Sequence, residues 1–503
     1  MRRVRASLGL VFVVTALTAS AKEPLRWGAD GQGGAPYVFQ DPMDPTRLTG
    51  FEVELAGLLS SRLGLQSQPV AGPWDKLLEL LARGDFDLAL NGIEVAEEKK
   101  RVALLTRPYF AAAEVLTVRR GDASAPRTLE ALAGKKVGTL PGSLAERIAQ
   151  RYGADVRTYE GGQDEIYDDL KLGRTDAVLL DDPVARYYAD FDEALESIRG
   201  DFGVVEYAIA VRLDDHARLE ALNRALDGLA ADGSLRALYE RWGLWTSATA
   251  KLLGDPDATP RAHAIEYDRW KTAVGHLPPF WERVRTRYPA YLPLFVKGAG
   301  LTLLASLTAM ALAIALGVLL AVGRRFGPAA LRWACVAYIE FFRGTPLLVQ
   351  LTMIYFGLPE LGVRLDPFAA GVIALGLNYA AAEAENYRAG LESVPRGQVE
   401  ASQVLGLSTL QTLRYVVGPQ AVRISIPPMT NDFIALLKDS SLVSVVTLTE
   451  LTKTYTTLAN STRDHLGLGL LVALCYLLVG LPFARLARVV EARFARHLSR
   501  EAP

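Results

Sequence analysis

The sequence predicts an α/β domain followed by an all-α membrane domain of five helices. Three observations lead there. The 503-residue chain divides into a mixed, charged part up to about residue 290 and an apolar part from about 294 to 490. In the first part, strand-like runs alternate with amphipathic helical stretches. In the second, several runs are long and apolar enough to cross a ~30 Å hydrocarbon core as helices.

The chain opens on a secretory pattern. Arg2, Arg3 and Arg5 precede the apolar run Leu8 to Leu17, and Ala19-Ser20-Ala21 supplies small residues for cleavage after Ala21. A leader is therefore expected over 1–21, with a retained anchor helix as the alternative. Either places the following domain, 22–246, outside the cytoplasm. The two cysteines, Cys335 and Cys475, both lie in apolar runs, so neither a disulfide framework nor a metal cluster is expected. A net charge of -1 argues against a nucleic-acid partner.

In the α/β part, Ala56 to Leu63 carries apolar residues at helical spacing. Phe86 to Leu90, Lys136 to Leu140 and Ala177 to Leu180 are short apolar strand patterns. Residues 247–293 read as a linker. Pro256, Pro260, Pro278, Pro279, Pro289 and Pro293 argue against one long helix there. The intervening Trp270, Trp281 and Tyr288 suit a membrane surface.

Five spans are predicted in 294–490. Leu301 to Val322 is free of charge, and Leu466 to Phe483 is equally clean. Two more fall near 333–358 and 367–387, and a weaker one lies within 424–446. Arg324, Arg325 and Arg332 follow the first span. Arg388, Arg396, Arg414 and Arg423 follow the third, and Arg485 to Arg500 follow the fifth. This bias puts the N-terminal domain outside and the tail, 491–503, inside. Ionisable residues at membrane depth are costly. Glu340 and Arg343 are spaced to pair on one helix face. Arg343, Glu383, Asn431 and Lys438 are candidates for a polar path through the bilayer.

Several strings in this half resemble the polar amino-acid ABC permease family. They are Gly300-Leu-Thr-Leu303, Tyr338-Ile-Glu-Phe-Phe-Arg-Gly-Thr-Pro-Leu-Leu-Val-Gln350, Glu385-Asn-Tyr-Arg-Ala-Gly390, Val394-Pro-Arg-Gly-Gln-Val-Glu-Ala-Ser-Gln-Val-Leu-Gly406 and Leu437-Lys-Asp-Ser-Ser-Leu-Val-Ser444. The resemblance implies an ABC permease fold with a cytoplasmic coupling loop at about 391–420. Glu400 and Ala401 would ride a short helix there, Gly406 would turn the chain at positive φ, and a second short helix would run from Ser408 until Pro419. The chain has no Gly-x-x-x-x-Gly-Lys-Ser/Thr phosphate loop. The resemblance therefore implies a separate ABC ATPase and a permease homodimer in the lipid bilayer, with no catalytic residue or cofactor of the chain's own.

The α/β part resembles the two-lobed periplasmic amino-acid-binding (solute-binding family 3) domain. The resemblance rests on Leu25-Arg-Trp-Gly-Ala-Asp30, Gly50-Phe-Glu-Val-Glu-Leu-Ala56, Gly84-Asp-Phe-Asp-Leu88, Asp176-Ala-Val-Leu-Leu-Asp181 and Asp232-Gly-Ser-Leu235. It implies lobe crossovers near 109–117 and 205–211. It also implies a pocket for an amino acid or amino-acid-like solute. Lys99 would meet the ligand carboxylate, Ser143 would cap a helix facing it, and Asp181 would meet the ammonium. Phe51 and Tyr37 would form aromatic walls, and Asp30 would face the pocket. Two departures stand out. Lys99 replaces the usual arginine, a point charge instead of a fork, and Glu94 replaces a serine or threonine. The acidic excess of Asp30, Glu94 and Asp181 favours a ligand with an added cationic group. A ligand-sensing receptor or channel uses the same binding fold, but its pore helices interrupt the lobes, whereas every span here follows the second crossover.

Overall fold

The computed structural model describes residues 23–498, apart from 33, 160, 161 and 276. The expected leader and residues 499–503 of the tail lie outside the described residues.

The N-terminal half is built on two five-stranded sheets. The first orders β4 (Gln66–Ala71), β1 (Pro24–Ala29), β5 (Leu88–Ala89), β12 (Ala210–Val211) and β6 (Leu104–Leu105). The second orders β11 (Leu195–Tyr207), β7 (Phe110–Arg119), β10 (Ala177–Asp181), β8 (Lys136–Thr139) and β9 (Asp155–Thr158). A short hairpin of β2 (Phe39–Gln40) and β3 (Leu48–Thr49) lies apart from both. Every residue of β10 is buried, as its unbroken apolar run requires of a strand covered on both faces. The chain leaves the first sheet between β6 and β7 and returns between β11 and β12. These two strand-to-strand passages define two lobes. The first passage precedes the stretch 109–117, and β7 itself fills most of that stretch.

Local chemistry sets the geometry near the cleft. Gly50 has φ 131°, and a Cβ there would come within 1.9 Å of the Tyr37 carbonyl oxygen. Only glycine lets the start of helix Phe51–Leu63 press this closely on the Tyr37 backbone. Aromatic rings then cluster behind it in tilted and edge-on contacts. Phe51, Phe110 and Tyr239 have centroids 5.1 to 6.0 Å apart.

The segment after residue 246 differs from an open linker. It forms helices Ser247–Leu252, Ile265–Val274 and Phe280–Thr286. Trp270 is buried against Tyr187, at 4.9 Å between centroids, and Phe191, at 5.4 Å. It therefore packs in the core of the second lobe and not at a membrane surface. Trp281 remains exposed.

Among the described residues, two helices are long and apolar enough to cross a bilayer, Tyr288–Phe326 and His465–Val489. The first begins well before Leu301, with Pro289 in its opening turn, where a missing N–H costs nothing. Helix Pro367–Glu392 packs closely along it. Small residues permit this approach. A Cβ on Gly317 would lie 2.7 Å from the Glu383 Cβ, and one on Gly376 would lie 2.6 Å from Leu312. Ala309, Ala313, Ala380 and Ala384 fill the same seam.

The region 333–358 is broken. Helix Ala329–Gly344 ends before Pro346, and helix Leu347–Thr352 continues as a π turn, Met353–Gly357. Glu340 and Arg343 are both exposed, and no ion pair joins them among the described residues. The helix expected to stop at Pro419 does not. Thr409–Thr412 passes through a π turn into helix Gly418–Asp439, because Pro419 occupies the first turn of that helix. Helix Leu451–Thr462 is an element that hydropathy did not reveal.

Candidate functional site

A cavity of about 790 Å³ opens between the lobes and continues to the permease half. Asp30, Trp74 and Glu94 line it from the first lobe, Glu114 and Asp181 from the second, and Lys453 and His465 from the permease.

Asp181 ends β10 and caps helix Asp182–Tyr188, accepting from the Val184 N–H at 3.2 Å. The hydroxyls of Tyr37 and Tyr207 both donate to its carboxylate. Burial still prevails over these donors and pushes the Asp181 carboxyl up to about 6. Tyr37 thus lines the cavity and orients Asp181 together.

Glu94 is buried at the opposite wall. One oxygen accepts from the Leu144 N–H at 3.0 Å and the other from the Arg147 guanidinium at 3.0 Å. Leu144 opens helix Leu144–Arg151, so Glu94 sits at the positive end of that helix. Ser143 caps the helix, accepting from the Glu146 N–H at 3.1 Å and donating to the Leu140 carbonyl at 2.7 Å. Its hydroxyl is therefore engaged locally.

Lys99 does not line the cavity. Its ammonium is buried without a hydrogen-bond partner, 5.6 Å from the Trp74 ring centroid. Burial lowers its pKa below the ordinary lysine value. Asp30 does line the cavity, while its oxygens accept from the Gln32 N–H at 2.9 Å and the Trp74 N–H at 3.2 Å. Phe51 is displaced from the expected wall. It lies behind Tyr37, with centroids 5.2 Å apart, because the core claims an unsubstituted ring that has no polar edge to present. Trp74 and Tyr207 form the aromatic wall instead.

Sequence reasoning missed Glu114. It is 2 % exposed, and its Oε2 has no hydrogen-bond partner. Burial and the neighbouring Asp181 charge raise its pKa well above the ordinary carboxyl value. The signal was present: a lone acid interrupts the apolar strand Phe110–Arg119. Arg147 was missed for a different reason. It meets Glu94 across 53 positions of sequence.

Among the described residues, the binding half meets the permease half at several places. The Gln40 N–H donates to Ser461 at 3.2 Å. Arg83 donates to the Tyr355 carbonyl at 2.8 Å. Gln32 donates to Thr456 at 2.5 Å and accepts from Lys453 at 2.8 Å. Asp164 lies 2.6 Å from His465. Helix Leu451–Thr462 carries the Lys453, Thr456 and Ser461 contacts.

Of the residues considered for a membrane path, Glu383 is fully buried with neither carboxylate oxygen partnered. Arg343, Asn431 and Lys438 are exposed on the single chain. Asn431 and Lys438 share one face of helix Gly418–Asp439 by their spacing, whereas Arg343 is on another helix. The structure does not bring the four together.

Glu400 and Ala401 are exposed on helix Arg396–Val404, and Gly406 turns the chain at φ 78°. Ser408 and Gln411 form a capping box for the next helix. Ser402 and Thr412 share a hydrogen bond of 2.9 Å that ties the two helices together. Val404 and Leu405 protrude, 87 % and 80 % exposed.

Residues 25–244 match the bacterial extracellular solute-binding proteins, family 3, and residues 313–496 match the binding-protein-dependent transport system inner membrane component family. The probable glutamine ABC transporter permease protein GlnM of Bacillus subtilis is 38% identical over 40% of this chain and 94% of its own. The L-cystine transport system permease protein TcyB of Bacillus subtilis is 34% identical over 44% of this chain and 93% of its own. The glutamine transport system permease protein GlnP of Escherichia coli is 36% identical over 41% and 94%. Among solved structures, an ancestral arginine-binding protein bound to arginine is 31% identical, covers 44% of this chain and 98% of its own, and has a TM-score of 0.41.

Proposed function

We infer how this chain works from what it is: it belongs to the amino-acid ABC transporter permeases and carries a family 3 solute-binding domain in the same polypeptide. It is the fused binding and permease subunit of an ABC importer, a multi-pass inner-membrane transporter and not an enzyme.

The solute is an amino acid or amino-acid-like molecule with an added cationic group, captured outside the cytoplasm. The observation that carries this reading is a cavity walled by both lobes and by the permease. Closing the lobes removes water and strengthens each charge contact inside. Asp181, Glu94 and Asp30 then offer carboxylates to cationic groups, and Tyr37 supplies a wall. Lys99 lends positive potential from behind Trp74, and the helix capped by Ser143 lends its positive end.

A separate ATPase subunit drives transport by docking on the knob formed by Glu400, Ala401, Gly406 and the protruding Val404 and Leu405. An apolar tip on a rigid turn suits a groove in a partner. Two copies of the permease half form the path. Lys438 and Asn431 support this, because a charged lysine facing lipid would be costly, and a second copy would cover that face. Fusing receptor to permease raises the local receptor concentration at its own gate.

Two measurements test the reading. Full-length chain in proteoliposomes, with and without an ABC ATPase and ATP, is expected to take up labelled solute only when both are present. Solute flux without ATP points to a channel. A calorimetric screen of the full chain with the common amino acids is expected to favour cationic ones, and binding of acidic or aliphatic ones alone overturns the cationic assignment.

A further inference from the structure

Among the described residues, the donors on the lobe walls that could meet an anion in the binding cleft are already engaged. Glu94 takes both the Leu144 N–H and the Arg147 guanidinium, each at 3.0 Å. Two cationic side chains line the cavity among the described residues, Arg174 and Lys453. Arg174 is held by Asp169 at 2.8 Å, and Lys453 donates to Gln32 at 2.8 Å. His465 is held by Asp164. The Lys99 ammonium is sealed away from the cavity. Among the described residues, an incoming carboxylate would meet no unpaired cation on the lobe walls and would face Glu94 as a like charge; the Lys453 charge, balanced only by the neutral Gln32 amide, lies on the permease side of the cavity.

The opposite holds for a cation. Glu114 and Asp181 are directly opposed in the antiparallel pairing of β7 and β10. Both line the cavity. Side chains at such positions stand about 5 Å apart at Cβ, and like charges there repel. Asp181 has tyrosine donors, but the Glu114 Oε2 is buried with no partner at all. A buried carboxyl left in this state is costly unless a cation or a proton joins it. The floor of the cavity therefore lacks a positive group.

We propose that the cavity takes an organic cation bearing ammonium or guanidinium groups and no free carboxylate, with the Glu94 carboxylate filling the place that the carboxylate of an amino acid would need. One cationic group of the ligand sits between Glu114 and Asp181, and a second meets Glu94 or Asp30. This rests on the binding and import function proposed above and narrows its substrate to amines.

The test uses matched pairs that differ only by a carboxylate: agmatine against arginine, cadaverine against lysine, and putrescine against ornithine. Each is titrated calorimetrically into the full-length chain in nanodiscs. The decarboxylated partner is expected to bind at least about tenfold more tightly. Glu94→Ser frees the Leu144 N–H and Arg147 and is expected to shift preference about tenfold toward the carboxylated partner. Glu114→Gln is expected to weaken the amines while the fold, followed by circular dichroism, is kept. Equal or tighter binding of the carboxylated members by the unmodified chain overturns the amine assignment and leaves the cationic amino-acid reading standing. Binding of neither set, with acidic or aliphatic amino acids bound instead, overturns both.

Discussion

Arg83 of the first lobe donates to the Tyr355 carbonyl at 2.8 Å, and its guanidinium lies 4.3 Å from the centroid of the Tyr355 ring. Tyr355 belongs to the π turn Met353–Gly357, where the ordinary helical ladder is interrupted. Asp85 pairs with the same guanidinium and holds it in place. The receptor is thereby fastened to an irregular part of the permease that has a carbonyl to offer.

Removing this fastening should separate capture from transport. Arg83→Ala is expected to lower the uptake rate several-fold while leaving ligand affinity unchanged, because Arg83 does not line the cavity. Uptake in proteoliposomes and calorimetry on the same preparation check it. Equal loss in both would place Arg83 in the fold of the lobe and not in coupling.

Asp181 predicts a pH dependence of the empty receptor. Its carboxyl is raised from 3.8 to about 6 by burial, with Glu94 adding repulsion against the tyrosine and Val184 donors. The folded form therefore holds the proton more tightly than the unfolded form. Its stability contribution is complete below the unfolded value near 4 and is lost as pH rises through about 6. About two pH units correspond to roughly 3 kcal/mol. Glu52, raised by burial to about 7, and Glu114, raised by burial well above the ordinary carboxyl value, act in the same direction. Asp181→Asn is expected to flatten the fall of the binding-domain melting temperature between about pH 4 and pH 6. An unchanged slope would assign the dependence to Glu52 and Glu114.

Leu405→Asp and Gly406→Val test the knob. A charged tip should not enter an apolar groove, and a β-branched residue at φ 78° carries backbone strain of about 1 kcal/mol or more. Both variants are expected to abolish solute-stimulated ATP hydrolysis by a reconstituted ATPase and to bind solute normally. Retained stimulation in both would place ATPase docking elsewhere.

Trp270→Ala tests whether the segment after residue 246 belongs to the receptor. The indole is buried among Tyr187, Tyr188 and Phe191, and its removal should cost about 3–5 kcal/mol. Differential scanning calorimetry should show the receptor transition fall while the permease transition stays. Trp281→Ala, at an exposed ring, is the control and is expected to change neither.

Much of this protein was legible in the order of its residues. Alternating short apolar runs and amphipathic stretches give the two α/β lobes, and charge-free runs such as Leu301 to Val322 give the membrane helices, because burial period and bilayer thickness act on neighbouring residues. Helix Leu451–Thr462 escaped notice because its threonines, asparagine and lysine carry no hydropathy signal. Its role is to meet another domain.

The site divides along the same line. Asp181 and Tyr37 were identifiable as candidates, but their hydrogen bond spans 144 positions. That Phe51 retreats behind Tyr37 and that Lys99 is shut behind Trp74 depend on packing within the first lobe, whereas Glu94 closing on Leu144 and Arg147 depends on how one lobe meets the other. The opposition of Glu114 and Asp181 depends instead on the pairing of β7 and β10 within the second lobe, far apart in sequence but adjacent in the sheet. Sequence alone determined the two halves, their order and the family. Tertiary structure decided which charges are spent and which remain free, because electrostatic partners are set by distance in space and not by distance along the chain.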